Sequence, residues 1–503
     1  MSKFLGGHPT LTTTLVISVC VVDSVTIAYD GSLMGSLNAM PAYSDYFTLT
    51  TATTSLNTAA TFIGAILLSP FAAPLINWRG RKCGIYVSAL VQIVGAILQG
   101  AAQSIGMFIV GRLLIGAGSG IAQTSAATYV AETVPSRIRA FALGLYFTCW
   151  AVGALLAAGV CYGTASMESS TWSWRIPSLI QAVPSILAIL VLFALPESPR
   201  WLAYKSRSDE ALRVLSSING GDETNPDVQI QYREIMDTIA FEKSEGQKLG
   251  FSEVIKNKSN MRRLMLAVSV APLAMLTGSN IITFYFSTML DQAGITDSNT
   301  QLQINVILSA WQLVVALSGS LLAERIGRRM LALSSLGLCT IFFYMLGGLT
   351  AKYGNSTNAS GIYGTIACIF LFLGGYSFGI TPLTVMYQPE VLSYSIRATG
   401  MSIATVTSKG CGLLVTFAFP FALDAIGWKT YMINASFNVL LWAFIAYSWV
   451  ETKGLTLEEI DEIFDGTKHS DTPNLADLHM ERKDVIEGVE VASPVNVSVP
   501  IKK

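Results

Sequence analysis

Four charged side chains interrupt stretches that are otherwise almost free of charge. Asp23 and Asp30 lie in VVDSVTIAYDGSLMGS (21–36), Arg112 in GRLLIGAGSG (111–120) and Lys409 in TVTSKGCG (405–412). An ionised group in apolar surroundings is costly, so such a residue points to function before it points to architecture. Seven helical positions turn through about 700°, which puts Asp23 and Asp30 on one face, two turns apart. The chemistry available to this set is proton binding and release by a carboxylate, charge compensation by a guanidinium, and pairing or anion binding by an ammonium. Bond-making chemistry is not expected. The chain has three histidines, no phosphate-cradling loop and no metal-type ligand spacing, so no enzyme, metal or cofactor is expected. The seven cysteines fall in or beside apolar segments and read as small buried hydrophobes. GAGSG (116–120) sits inside an apolar helix and fits close helix packing rather than phosphate binding.

The elements that must carry these residues are membrane spans. Of the 503 residues 51% are hydrophobic and only 13% charged, where a soluble protein would be about one-quarter charged. Windows 84–111 and 330–350 hold no charge. Twelve spans of bilayer-crossing length are expected, at 11–36, 53–75, 84–103, 107–129, 141–163, 176–195, 264–290, 303–323, 330–350, 362–386, 399–423 and 429–449. The fold class is therefore an all-α membrane protein. Its expected parts are a cytoplasmic N-terminus (1–10), a six-helix bundle (11–196), a charge-rich helical linker (197–262), a second six-helix bundle (263–450) and a cytoplasmic helix with a disordered tail (451–503). Ser208 is expected to cap a linker helix, and Thr456 with Glu459 has capping-box spacing. The N-terminus lacks the basic region and cleavage site of a signal peptide.

Basic residues set the orientation. Arg79, Arg81, Lys82, Arg137, Arg139, Arg325, Arg328, Arg329, Arg397 and the linker fall on one side, which the positive-inside rule makes cytoplasmic together with both termini. The sequons at Asn355 and Asn358 then lie outside, as glycosylation sites, whereas those at Asn257 and Asn496 stay inside. A net charge of −1 without a basic cluster gives no sign of nucleic-acid binding. The halves echo one another at a near-constant offset: WRGRK (78–82) with RIGRR (325–329), YVAETVPSRIRA (129–140) with YQPEVLSYSIRAT (387–399), and PESPR (196–200) with VETKG (450–454). A duplicated six-helix unit of this kind is how secondary transporters frame a central site.

These motifs resemble the sugar-porter branch of the major facilitator superfamily over residues 10–465. AYDGSLMGS, TPLTV before Glu390, and ALDAIGWK (422–429) are similar to the fungal lactose and cellodextrin permease group. The resemblance implies twelve helices, alternating access, a monomer, and proton-coupled or facilitated uptake of a small polar solute at a plasma membrane. Arg79, Arg81, Arg137, Arg139, Arg325, Arg328, Arg329 and Arg397, with Glu132, Glu197, Glu324, Glu390 and Glu451, are expected to pair across the two halves as an inner gate. The family's aspartate before the first Gly-Arg-Lys is Asn77 here.

Within the resemblance, Asp30 occupies the aspartate position of proton-coupled members and Arg112 that of its basic partner. Either Arg112 swings and so loads and unloads a proton on Asp30, or the two form a static pair. The sixth-helix glutamate of bacterial symporters falls at Gln181. Asp23 is either a residue of a hydrated inner vestibule or a relay from Asp30. Asn280 and Tyr285 keep the substrate pattern of the seventh helix, but Ala274 and Met275 replace its glutamine pair. Phe147 replaces the fifth-helix glutamine, and Thr384–Val385 replaces the tenth-helix glutamine and tryptophan. These exchanges remove partners for sugar hydroxyls. Lys409, where the pattern has an aromatic, could reach the cytoplasmic boundary, pair with Asp23 or Asp30, or bind an acidic substrate. The family default is a sugar or oligosaccharide. An acidic or aromatic metabolite is the alternative, and a nutrient sensor a further one.

Overall fold

The computed structural model describes residues 9–134, 136–167, 170–219, 258–353, 359–392 and 394–453, with scattered positions at 223–239 and 460–464. Residues 1–454 form one compact unit and 455–503 a second. The capping box at Thr456 and Glu459 and the sequons at Asn355 and Asn358 lie outside the described residues. So do the side chains of Arg137, Arg139, Phe147, Glu324, Val385 and Arg397.

Eleven described helices are long and apolar enough to cross a membrane, and the helix Ser136–Ala165 adds the shorter apolar stretch Cys149–Ala165. All twelve expected spans coincide with helices. Large apolar side chains such as Leu321 and Leu440 stay 75% and 70% exposed, as a lipid-facing surface requires. The first, second and fourth spans are long helices, Pro9–Leu37, Thr51–Arg79 and Ile105–Thr133. Thr50 opens the second with a capping box to Thr53. The glycines of GAGSG do pack helices closely: a Cβ on Gly116 would lie 2.0 Å from the Thr61 carbonyl, and one on Gly120 2.5 Å from the Ser69 hydroxyl.

Three spans are broken. The sixth is Trp172–Ile180 and Ala182–Ala194, meeting at Gln181. The seventh, read as one stretch in the sequence, is Lys258–Met275 and Ser279–Gln292, joined through Gly278 at φ +116°. The tenth runs Ala359–Gly375 and Thr381–Val391 around a π-helical turn, Tyr376–Ile380. The freed carbonyls of the seventh-span break find partners on the twelfth span: Asn434 Nδ2 donates to Leu276 O at 3.0 Å, and Asn438 Nδ2 to Thr277 O at 2.9 Å. The Tyr376 hydroxyl, from the π turn, donates to Ala274 O at 2.7 Å. Both irregular stretches are thus tied to one another, which is how broken backbone is tolerated at membrane depth.

In the linker, Ser208 is the first residue of the helix Ser208–Ile218 rather than its cap; Arg207 holds the cap position and its Nε bonds Glu210 at 2.8 Å. The acidic Asp209 and Glu210 supply the favourable charge of the first turn instead.

Candidate functional site

Asp30 and Arg112 come together, as their embedding in apolar helices suggests. Arg112 Nη1 lies 3.2 Å from Asp30 Oδ1, and its Nε donates to the Asn57 carbonyl of the second span at 2.8 Å. Arg112 is fully buried and Asp30 is 6% exposed. Arg112 Nη2 has no partner among the described residues. The Asn57 amide donates to the Tyr43 hydroxyl at 2.5 Å, and Tyr43 belongs to an aromatic group with Phe47, Phe108 and Trp174. This group seals the pair from the end opposite the basic corners. Asn57 and Tyr43 escape sequence reading because each acts only through Arg112.

Asp23 is 5% exposed and separate from this pair. Its described partner is the Tyr146 hydroxyl of the fifth span at 3.4 Å. Lys409 does not reach it. Instead, Lys409 lies within electrostatic range of Asp30, across from it on the opposite half. Lys409 is the sixteenth of 33 residues in Tyr394–Ile426, near the middle of that helix.

The remaining expected substrate residues are spread around the seventh-span break. Asn280 Nδ2 turns back to the Met275 carbonyl and sulfur at 3.3 and 3.2 Å. The Tyr285 hydroxyl donates to the Thr416 carbonyl of its own half. Thr384 spends its hydroxyl on its own helix, at Thr381 O, 2.7 Å. Gln181 is buried with neither side-chain polar atom partnered among the described residues. The main residues missed by sequence reasoning are Asn434 and Asn438. Their signal was available: two amides one turn apart in an apolar helix.

The basic corners repeat almost atom for atom. Gly80 and Gly327 have φ +101° and +97° and abut the Glu197 and Glu451 carboxylates, which a Cβ on either would contact at 2.4 and 2.8 Å. Glu197 Oε1 accepts from the Arg81 amide at 2.9 Å, and Glu451 Oε1 from the Arg328 amide at 2.8 Å. Arg81 pairs Glu132 at 2.7 Å and Arg328 pairs Glu390 at 2.9 Å. Ser198 and Thr452 donate to the same two glutamates. Burial pushes the Glu197 carboxyl up from its ordinary value, opposed by the amides of Ser198, Lys82 and Arg81. The described pairs, Arg81–Glu132 and Arg328–Glu390, each close within one half. Arg79 lies instead over the Trp78 ring at 4.5 Å, and Arg329 bonds the Ala446 carbonyl.

Contacts between halves are described at the opposite end. Asn305 Nδ2 donates to Ser36 Oγ at 2.9 Å, Asn38 Nδ2 to Phe284 O at 3.3 Å, Thr51 Oγ1 to Asp424 Oδ2 at 3.0 Å and Gln303 Nε2 to the Tyr162 hydroxyl at 3.2 Å.

A family model described as "Sugar (and other) transporter" matches residues 16–464. The chain belongs to that family. This transporter is 30% identical over 490 residues to the MFS glucose transporter mfs1 of Aspergillus flavus, covering 92% of this chain and 90% of the relative. It is 29% identical to the high-affinity glucose transporter of Kluyveromyces lactis (89% and 84% covered) and 29% to myo-inositol transporter 2 of Cryptococcus neoformans (89% and 83%). Its fold matches the proton:xylose symporter XylE bound to 6-bromo-6-deoxy-D-glucose at TM-score 0.76, with 19% identity and 91% and 100% of the two chains covered. It also matches XylE from E. coli in a partially occluded inward-open conformation at 0.73, with 18% identity and 89% and 100% covered. The family is one of transporters, not enzymes, and the chain is a multi-pass membrane protein of the major facilitator fold.

Proposed function

We propose that this transporter carries a hexose-sized polyhydroxy solute inward together with a proton, by alternating access. It works as a monomer in the plasma membrane, with both termini and the linker 197–262 on the cytoplasmic side between the bundles 11–196 and 263–450. The observation that carries the reading is the buried Asp30–Arg112 pair, held at 3.2 Å between two long helices. A carboxylate there is neutral when protonated and needs Arg112 when it is not, so proton binding and the pair's geometry are linked. Fold kinship with a proton:xylose symporter and relatives described as glucose and myo-inositol transporters support the same reading.

The broken seventh span and the π turn of the tenth supply the moving parts. The hydrogen bonds between halves lie at the end this orientation makes external, so the structure represents a state shut to the outside. Asp23, with Tyr146, lies on the inward side of Asp30 and is the reserve proton site of the first span. The test is solute-induced proton uptake: adding the transported sugar to energy-starved cells raises external pH under symport. Uptake with no pH change contradicts the proposal.

A further inference from the structure

The charges that meet around Asp30 do not balance. Arg112 and Lys409 bring two cations within reach of one carboxylate. Asp30 has its direct contact with Arg112, and among the described residues no carboxylate lies within 4.0 Å of Lys409 Nζ. Asp23 does not supply the missing charge, since its described interactions are with Tyr146 and Cys20 and not with Lys409. Arg112 Nη2 is fully buried and unpartnered as well. Two cationic donors are therefore unspent at the centre of a membrane protein, where a surplus charge is expensive.

The setting of Lys409 is open rather than packed. Its side chain is partly exposed, as are those of its neighbours on every side of the helix from 405 to 411, and a Cβ on Gly410 would meet nothing within 4 Å. Lys409 thus sits mid-way along an apolar helix, half-buried and without a carboxylate of its own among the described residues. Ala274 and Met275 of the seventh span carry no side-chain amide for a neutral sugar.

We infer that this transporter's solute carries a carboxylate, which Lys409 binds, so that the substrate class is a sugar acid rather than a neutral sugar. The inference rests on the transport reading above and sharpens its substrate. An ammonium donating to a carboxylate at low dielectric is among the stronger hydrogen bonds available, and the incoming anion removes the surplus charge.

The test compares glucose with glucuronate, which differ only by a carboxylate at the sixth carbon. Binding of each to the purified full-length protein is measured for the wild type, Lys409→Gln and Lys409→Arg, with monodispersity on size exclusion as the folding control. Glucuronate is expected to bind about tenfold or more tightly than glucose, and Lys409→Gln to abolish that preference. Lys409→Arg should keep most of it. No glucuronate binding, equal binding of the two solutes, or a preference unchanged by Lys409→Gln overturns the inference. Solute-linked proton uptake with glucose alone would overturn it too while leaving the symport reading intact.

Discussion

The first and fourth spans are uninterrupted 29-residue helices that carry Asp30 and Arg112, whereas the seventh and tenth spans, in the other half, are broken at 276–278 and at Tyr376–Ile380. The two bundles share their corners, down to paired left-handed glycines, yet differ in what their interiors do. An unbroken helix pair fixes two charges at a set separation, which a proton site needs. A broken helix lets one segment tilt against the other, which a gate needs, and its freed carbonyls must be met by side chains such as Asn434 and Asn438. Each half carries a broken span, the first at Gln181 in its sixth span, but the embedded Asp30–Arg112 pair sits on unbroken helices.

That contrast can be broken at several points. The largest effect is expected for Arg112→Gln, which strands a buried carboxylate. It should cost about 3–5 kcal/mol and abolish uptake, with thermal melting in detergent as the readout. Adding Asp30→Asn should recover the stability but not the transport. If Arg112→Gln melts like the wild type, the pair is not the fixed element claimed here.

Next is Gly35→Val, at the seam between halves. A Cβ on Gly35 would lie 2.1 Å from the Thr283 carbonyl of the seventh span. Overpacking of about 1–3 kcal/mol should shift the population away from the externally shut state by roughly tenfold or more. Alkylation of a cysteine placed in the outer cavity would rise while counterflow falls. Unchanged labelling and exchange would mean the seam does not close in the cycle.

Asn438→Leu acts at the seventh-span break, and its effect is confined to stability. It leaves the Thr277 carbonyl unpartnered at the break, a loss of about 1–3 kcal/mol in melting, with proton-linked behaviour of the residual uptake unaltered. A changed pH dependence in Asn438→Leu would tie proton coupling to the seventh-span break and undo the contrast.

Much of this was legible in the sequence, because the apolar spans, the repeated corner motifs and the four embedded charges are local signals. The breaks were not. Thr277, Gly278, Ser279 and Asn280, and Gly379 with Pro382, are breaker residues at the two sites, but such residues also occur inside unbroken spans here, so they do not by themselves locate a break. The described partners of the corner glutamates lie within their own halves. The residue types and their spacing reveal that Glu132 and Glu390 need arginines, but only the turn at Gly80 and Gly327 decides which ones. Asn280 and Tyr285 kept a substrate-site pattern in sequence yet spend their polar atoms on Met275 and Thr416 in this structure.

The central claim, that Asp30 is the proton-coupling carboxylate, is tested most directly in proteoliposomes carrying Asp30→Asn. With a neutral isostere in place, an imposed inward proton gradient should no longer drive accumulation of solute above its external concentration, while counterflow exchange at equal pH continues. Accumulation that still follows the proton gradient in Asp30→Asn would contradict the account.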